Sequence, residues 1–529
     1  MKTTTTLILI LISIISLQAQ TVITGGEVSG EWKTADSPFL IEGDIYLPPA
    51  ERLIIREGVE VIFQDFYSFD IAGRVEFIGT PSNGIIFSVQ DTNGYYLNDH
   101  TGWNGLIFNG SYSNLEEYSV IDYCTVEYSK ISGITCLGYT MLQINNSNIC
   151  YNQTAGITLY EYSDIEMSGI MIHHNNGGGI ASNNSAPIVA DFLIENNQGS
   201  GISVYGNSLG TLPTFINGKV FQNNSMYTGG GISVYDAGIY AENVEIISNS
   251  ATNGGGIYCD MSSGEFRDVI ISENVADNGG GIQTGSFTYI IFDHVLISDN
   301  HANAIGGGGC IYESNVDFIN STITNNTATQ GGGFFFNLFS IYENEIANSI
   351  IWNNEPDEIY VTYESPVVNF SNIQGGMLGN GNISEDPLFT DPSNKDYRLQ
   401  WSNFPTDNGQ KSPCIDTGDP GATLDPDGTI NDMGAYYYNQ VIFTAVDEKN
   451  LFNNVSIYPN PIVNEIHIDG AENISKIQVI NMMGKVVLEK DTSGLNTEII
   501  DLSFLNPGVH IINLYDTQGS IETKKIIKK

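Results

Sequence analysis

Between Ser129 and Asn354 one short phrase returns about every 25 residues, and it limits the folds open to this chain. Val269-Ile270-Ile271-Ser272-Glu273-Asn274 is followed by a small polar gap and then Gly279-Gly280-Gly281-Ile282. The same phrase surrounds Asn249 with Gly254 to Ile257, Asn300 with Gly306 to Ile311, and Asn326 with Gly331 to Phe334. Looser copies fall at Asn152, Asn175, Asn197, Asn224 and Asn354, giving steps of 23, 22, 27, 25, 25, 26, 26 and 28 residues. Self-similarity at such a period marks a repeat architecture.

The residues five and three before each anchor are mostly apolar, as in Val244 and Ile246, Val269 and Ile271, Val295 and Ile297. That alternation is the period of a strand with one buried face. No segment keeps a helical period for longer than a turn, so helical and leucine-rich repeats fit poorly. The expected fold is all-β: a right-handed parallel β-helix of about ten coils, roughly 50 Å long at the ordinary interstrand spacing. Asn at the anchor tolerates a left-handed turn, and its amide can donate to one neighbour and accept from the other, forming a ladder along the rod. The gap from anchor to the next inward residue is five at Asn175 and Asn197, eight at Asn249 and Asn274, and eleven at Asn300. Insertions at one phase place loops on one edge of the rod.

Nineteen basic residues stand against 61 acidic ones, a net charge of −42. Such a chain repels nucleic acid and anionic membranes. Only Lys130, Lys219 and Arg267 are basic between residues 120 and 350. Residues 1–20, with Lys2, an apolar run from Leu7 to Leu17 and a polar end near Ala19, read as a secretory signal peptide; the run is too short to span a membrane. No later stretch is long enough to cross one, so the mature chain is expected to have no transmembrane span. The six cysteines lack metal spacing and read as small buried residues.

Residues 21–118 read as the N-terminal cap and first coils, 119–400 as the β-helix, 401–441 as its closing segment, 442–454 as a polar linker, and 455–529 as a small antiparallel β-sandwich. The phrases Glu57-Gly58-Val59-Glu60-Val61-Ile62-Phe63 and Trp103-Asn104-Gly105-Leu106 resemble the first coils of β-helix proteins secreted by Bacteroidetes-type bacteria. The passage from Asp386 to Tyr436 resembles the terminal segment of the same family, which closes the last coil. Within it, Asp425, Asp427 and Asp432 around Gly428 have the look of a calcium loop, although the full twelve-residue pattern is absent. The last domain resembles the C-terminal (type A) sorting domain of the type IX secretion system. The match is carried by Tyr458-Pro459-Asn460-Pro461, Gly484-Lys485, Leu505, Gly508 and the basic tail with Lys524 and Lys525. His510 stands where that family more often has Tyr. The resemblance implies the type IX machinery as partner, export across the outer membrane, and a secreted or surface location.

Outward aromatic residues are expected on the strands that follow the anchors: Tyr160, Tyr205 and Tyr235 three residues past the inward Ile, and Tyr258, Tyr312 and Phe335 one past it. Sugar rings stack on such a surface. Asn183 interrupts the tyrosine file. Candidate acids for glycoside chemistry are Asp191, Asp260, Asp268 and Asp293, none separable by sequence from solvated surface acids. His173-His174 reads as one outward imidazole beside an inward one rather than a metal pair. The favoured function is a surface-delivered β-helix protein that binds extracellular glycan or a host or neighbour-cell surface as an adhesin. A polysaccharide hydrolase or lyase is the alternative, and a passive surface component the third.

Overall fold

The computed structural model describes residues 20–440 and 455–528, apart from 96–101, 111–117, 207–210, 340–341, 408, 471–473, 482–484, 493–496, 506–507 and 517–520. The signal-peptide stretch up to residue 19, the whole of the linker and Gly484 therefore lie outside the described residues. The chain divides into two compact units at Gln440.

The first unit is a parallel β-helix. One face is a 14-stranded sheet, and the other two merge into a 26-stranded sheet. They merge because strands such as Gly238–Ile247 run through the corner without a break. Each coil shows the expected alternation. In Ile257–Asp260 the residues Ile257 and Cys259 are buried while Tyr258 and Asp260 are more exposed. Coils begin at Thr21, whose strand Thr21–Ile23 pairs with Phe39–Ile41. The rod is thus longer than the repeat pattern alone suggests: fourteen strands on one face, about 60 Å at the ordinary spacing. The early coils escape the pattern because they lack anchor asparagines and use large rings instead, as where Phe63 stacks on Trp103 at 4.2 Å.

The asparagine ladder is present and continuous. Each Oδ1 accepts the backbone N–H and Nδ2 of the preceding anchor, as Asn274 does from Asn249 at 2.9 and 3.1 Å. Each Nδ2 also donates to a carbonyl of the coil before, as Asn274 does to Ile246 at 2.9 Å. Two expectations change. The fourth rung is Asn223, not Asn224: Asn197 donates to Asn223 Oδ1, and Asn223 to Asn249 Oδ1. The left-handed residue is the one before each anchor, Ser248, Glu273, Asp299 and Asn325 among them, with φ of 57° to 60°. The anchor itself must point inward to bond, so its predecessor makes the turn. The ladder starts at Ser129, which donates its N–H to Asn152, and ends where Asn354 donates both N–H groups to the Glu358 carboxylate.

The longer gaps after Asn223 to Asn326 do not hang as free loops. They stack on one another, with Val275–Asn278 pairing with His301–Ile305 as a narrow extra sheet. Inside the rod, Phe266, Phe292 and Phe318 stack at 5.1–5.2 Å. All six cysteines are buried free thiols, which burial pushes to high pKa.

The end of the rod is covered by residues 374–385, where Ile383 bridges to Asn372. Residues 386–440 do something the closing-segment expectation misses. They turn back as a strap along the outer side of the third face, the one that carries the strands Ile270–Ser272 and Leu296–Ser298, where Tyr397 and Ala435 pack with Leu296 and Ile270. Tyr397 bonds Asp299 and Asn325, and Lys395 bonds Glu273.

The second unit has a three-stranded and a four-stranded antiparallel sheet around Ile466, Ile477, Val479, Ile512 and Leu514. Its strands include Ser456–Tyr458 and Thr497–Asp501, which the sequence pattern does not signal.

Candidate functional site

On the 14-stranded face, register places Tyr160, Asn183, Tyr205, Tyr235 and Asp260 in one outward column. Tyr205 is 52 % exposed, and its ring stacks on Tyr235 at 5.5 Å with a 1° interplanar angle. Beside them on the same strands stand Ala181, Ser203 and Ser233, too small to cover the rings. The next position after Asp260 is Gly285, where a Cβ would fall 2.2 Å from Asp260 Oδ1. Burial pushes the Asp260 carboxyl up from its ordinary value.

Tyr312 belongs to this column and not to the neighbouring one. Ile282 pairs with Gly309 and Thr284 with Ile311, so the first strand position after Asn300 is Gly309 rather than Ile311. Tyr258 occupies the neighbouring column between Ser233 and Gln283 and is half-buried; burial first, then the Asp260 charge, pushes its hydroxyl up to about 12. Phe335 is only 6 % exposed, contrary to its expected place on the surface, because it packs on Tyr360 at 5.4 Å in the last coils.

The sequence pattern misses a second row at the turn that leaves this face. Tyr139 is 66 % exposed and stacks on Tyr162 at 5.3 Å, and Phe287 is open to solvent in a later coil. These residues follow the strands, at turns where Tyr139, Tyr162 and Phe287 all take positive φ, so an alternation rule cannot place them.

The candidate acids separate. Asp191 and Asp268 sit at left-handed corners, with φ of 52° and 53°. Asp293 bonds His294 at 2.8 Å and lies 3.6 Å from Arg267, which hold its carboxyl below its ordinary value despite burial. The acids that do share a cleft are Asp317, Glu343 and Glu345, with Tyr289 and Asn315, in a volume of about 440 Å³. There Glu345 N–H donates to Asp317 Oδ1 at 3.0 Å, and burial raises the Asp317 pKa. Neither His173 nor His174 is inward: Ile172 fills that position, and the two Nδ1 atoms lie 2.8 Å apart at the surface. The three basic residues are engaged, Lys219 with Glu245, Arg267 with Glu265, and Lys130 with the Tyr95 carbonyl and ring.

At the Asp-rich loop all six carboxylate oxygens already accept protein hydrogen bonds. Asn431 and Asp432 N–H serve Asp425, Thr429 and Gln440 serve Asp427, and Asp416 and Tyr438 serve Asp432. These oxygens serve as turn acceptors, and among the described residues no group of three or more His, Cys, Asp or Glu is placed to hold a metal ion.

In the second unit the tail strand Ile521–Lys528 is tied to the Tyr458–Pro461 segment. Asn460 donates to Lys525 O at 3.0 Å and accepts from Ile527 N–H at 2.8 Å. Tyr458 stacks on His467 and donates to Asp469, Leu505 is buried, Lys524 reaches the Val455 carbonyl, and Gly508 opens the strand that pairs with the tail. Pro459 and Pro461 flank Asn460, and Lys485 donates its N–H to Asn481.

The chain thus joins a repeat rod to a separate small β-unit with a bonded basic tail. Residues 104–267 match the family of right handed beta helix regions, and residues 456–529 match the secretion system C-terminal sorting domain. The chain is a β-helix protein with a sorting domain that sends it through the type IX system to the cell surface or the medium. No helix among the described residues is long and apolar enough to cross a membrane. The chain is 25% identical over 178 residues to the ulvan lyase NLR42 of Nonlabens ulvanivorans, an alignment that covers 32% of each protein. Among solved structures, the Siphovirus 9NA tailspike receptor binding domain is similar at 10% identity, 94% of this chain, 98% of that one and a TM-score of 0.31. Tailspike protein 2 of Escherichia coli O157:H7 bacteriophage CAB120 is similar at 11% identity, 96% of this chain, 64% of that one and a TM-score of 0.24.

Proposed function

We propose that the rod binds a glycan of low negative charge along the tyrosine column, and that type IX export delivers this binding surface to the cell exterior. The single observation that carries the proposal is the broken file itself. Tyr160 and Tyr205 are two coils apart with Asn183 between them, about 9.6 Å at the ordinary spacing. A saturated ring in contact with both aromatic faces needs about 7–8 Å, so this gap admits one ring resting on either tyrosine. Asn183, which interrupts the file in sequence, is then the hydrogen-bonding floor of a slot one sugar wide. Engaged cations and the nearby Asp260 disfavour anionic chains.

The test is retention of the full chain on a panel of neutral and acidic polysaccharides, with new chain ends assayed in the same samples. Binding to a neutral glycan without cleavage, weakened about tenfold by Tyr205→Ala with Tyr235→Ala, is expected. Equal binding by that variant would sink the proposal.

A second reading, polysaccharide degradation, draws on the cleft of Asp317, Glu343 and Glu345 and on the partial similarity to a named lyase. New chain ends that vanish in Asp317→Asn would favour it over binding alone.

A further inference from the structure

The strap does not lie flush on the third face. Between the two is a cleft of about 270 Å³. The rod lends it Asn325, Trp352 and Asn353, and the strap lends Asp386, Phe389 and Gln400. Trp352 ends the strand Ile350–Trp352, is partly exposed, and packs against the buried cluster that includes Ile350, Leu399 and Cys414. Its ring therefore has a fixed seat beside an open space.

The polar groups around that space fall into two sets. Asn353 donates to Asn325, and Asn325 to the Tyr397 hydroxyl at 2.8 Å, so these amides are held in place. Leu388 N–H occupies Asp386 Oδ1 at 3.0 Å. The other Asp386 oxygen, the Gln400 side-chain amide and the Trp352 indole N–H have no hydrogen-bond partner among the described residues. Residues that carry a carboxylate, an amide of both polarities and an indole, Asp386, Gln400 and Trp352, thus line one small cleft. No cation lines it.

We infer that this cleft is a second carbohydrate site, taking one neutral hexose-sized residue. Its volume falls just below the range of drug-sized pockets, which suits one ring better than an oligomer. The indole offers a face for the C–H side of a sugar, and the uncommitted acceptor and donors suit hydroxyls. The lone charge is negative, so uronates and sulfated sugars are disfavoured. The site is on a different face from the tyrosine column and stands independently of it.

Saturation-transfer NMR on the full chain, carrying Tyr205→Ala and Tyr235→Ala to silence the column, tests the proposal. The probes are the methyl glycosides of glucose, galactose, N-acetylglucosamine and glucuronic acid. The expected result is a saturable signal in about the millimolar range for at least one neutral glycoside. It should be about tenfold weaker for the glucuronide. It should vanish in Trp352→Ala and weaken in Gln400→Ala, a change of a partly exposed amide that belongs to none of the buried core clusters. Absence of a saturable signal with every neutral glycoside, an equal signal from the glucuronide, or a signal that survives both Trp352→Ala and Gln400→Ala would each overturn it.

Discussion

Two files of stacked rings run along this rod, one inside and one outside, and they differ in continuity. Inside, Phe266, Phe292 and Phe318 follow without a gap, like the asparagines from Asn152 to Asn354. Outside, the tyrosine column is broken by Asn183 and again by Asp260 and Gly285. An inner rung has a copy of itself above and below, so any exception leaves a void or an unmet polar group. The outer file has solvent as a neighbour and tolerates exceptions. Unbroken repetition reports on packing, and a break in an exposed file is where recognition can enter.

The comparison can be broken from the inside first. Phe292→Ala removes a ring from between two others and should cost about 3–5 kcal/mol of stability, read from urea or thermal unfolding, while glycan retention of the remaining folded fraction is unchanged. Next, Asn274→Ala leaves the Asn249 donors and the Ile246 carbonyl without partners, and should cost about 1–3 kcal/mol in the same assay. On the outside, Tyr205→Ala with Tyr235→Ala should reverse this pattern, with unfolding shifted by less than about 1 kcal/mol and retention weakened about tenfold.

The strap supplies a pH test. Burial pushes the Asp432 carboxyl up to about 7 even though two backbone N–H groups bond it. Its folded pKa is above its unfolded value, so the native state holds the proton more tightly, and stability falls as pH rises from about 4 to about 7. The thermal midpoint should drop over that window, and less so in Asp432→Asn. A midpoint that climbs steadily to pH 7 would count against this role. The smallest effect is expected from calcium: with the Asp425, Asp427 and Asp432 oxygens already engaged, calcium against a chelator should leave the midpoint unmoved.

Much of the rod was legible because its inner positions repeat in kind. Val269, Ile271 and Asn274 announce the same environment as Val295, Ile297 and Asn300, and all six are buried. Register is less legible. Asn223 and Asn224 are adjacent and only the first is a rung, and Gly309 carries no side chain to mark an inward position, so alternation does not set the column of Tyr312. The tyrosine column was largely visible by alternation. The row of Tyr139, Tyr162 and Phe287 was not, since turns have no period. The strap lay further out of reach, because its contacts join residues such as Tyr397 and Asp299 that nothing local connects.

The end of the asparagine ladder has a further meaning. Every rung both gives and takes, so the series has a direction and no built-in length. Glu358 takes from Asn354 through both oxygens and has no N–H in its side chain to give. It acts as a stop codon does in a message, marking termination without belonging to the repeated text. Copying one whole unit of 25 or 26 residues upstream would lengthen the rod by one coil and leave both ends valid. A lineage of such proteins could therefore change its reach by duplication alone.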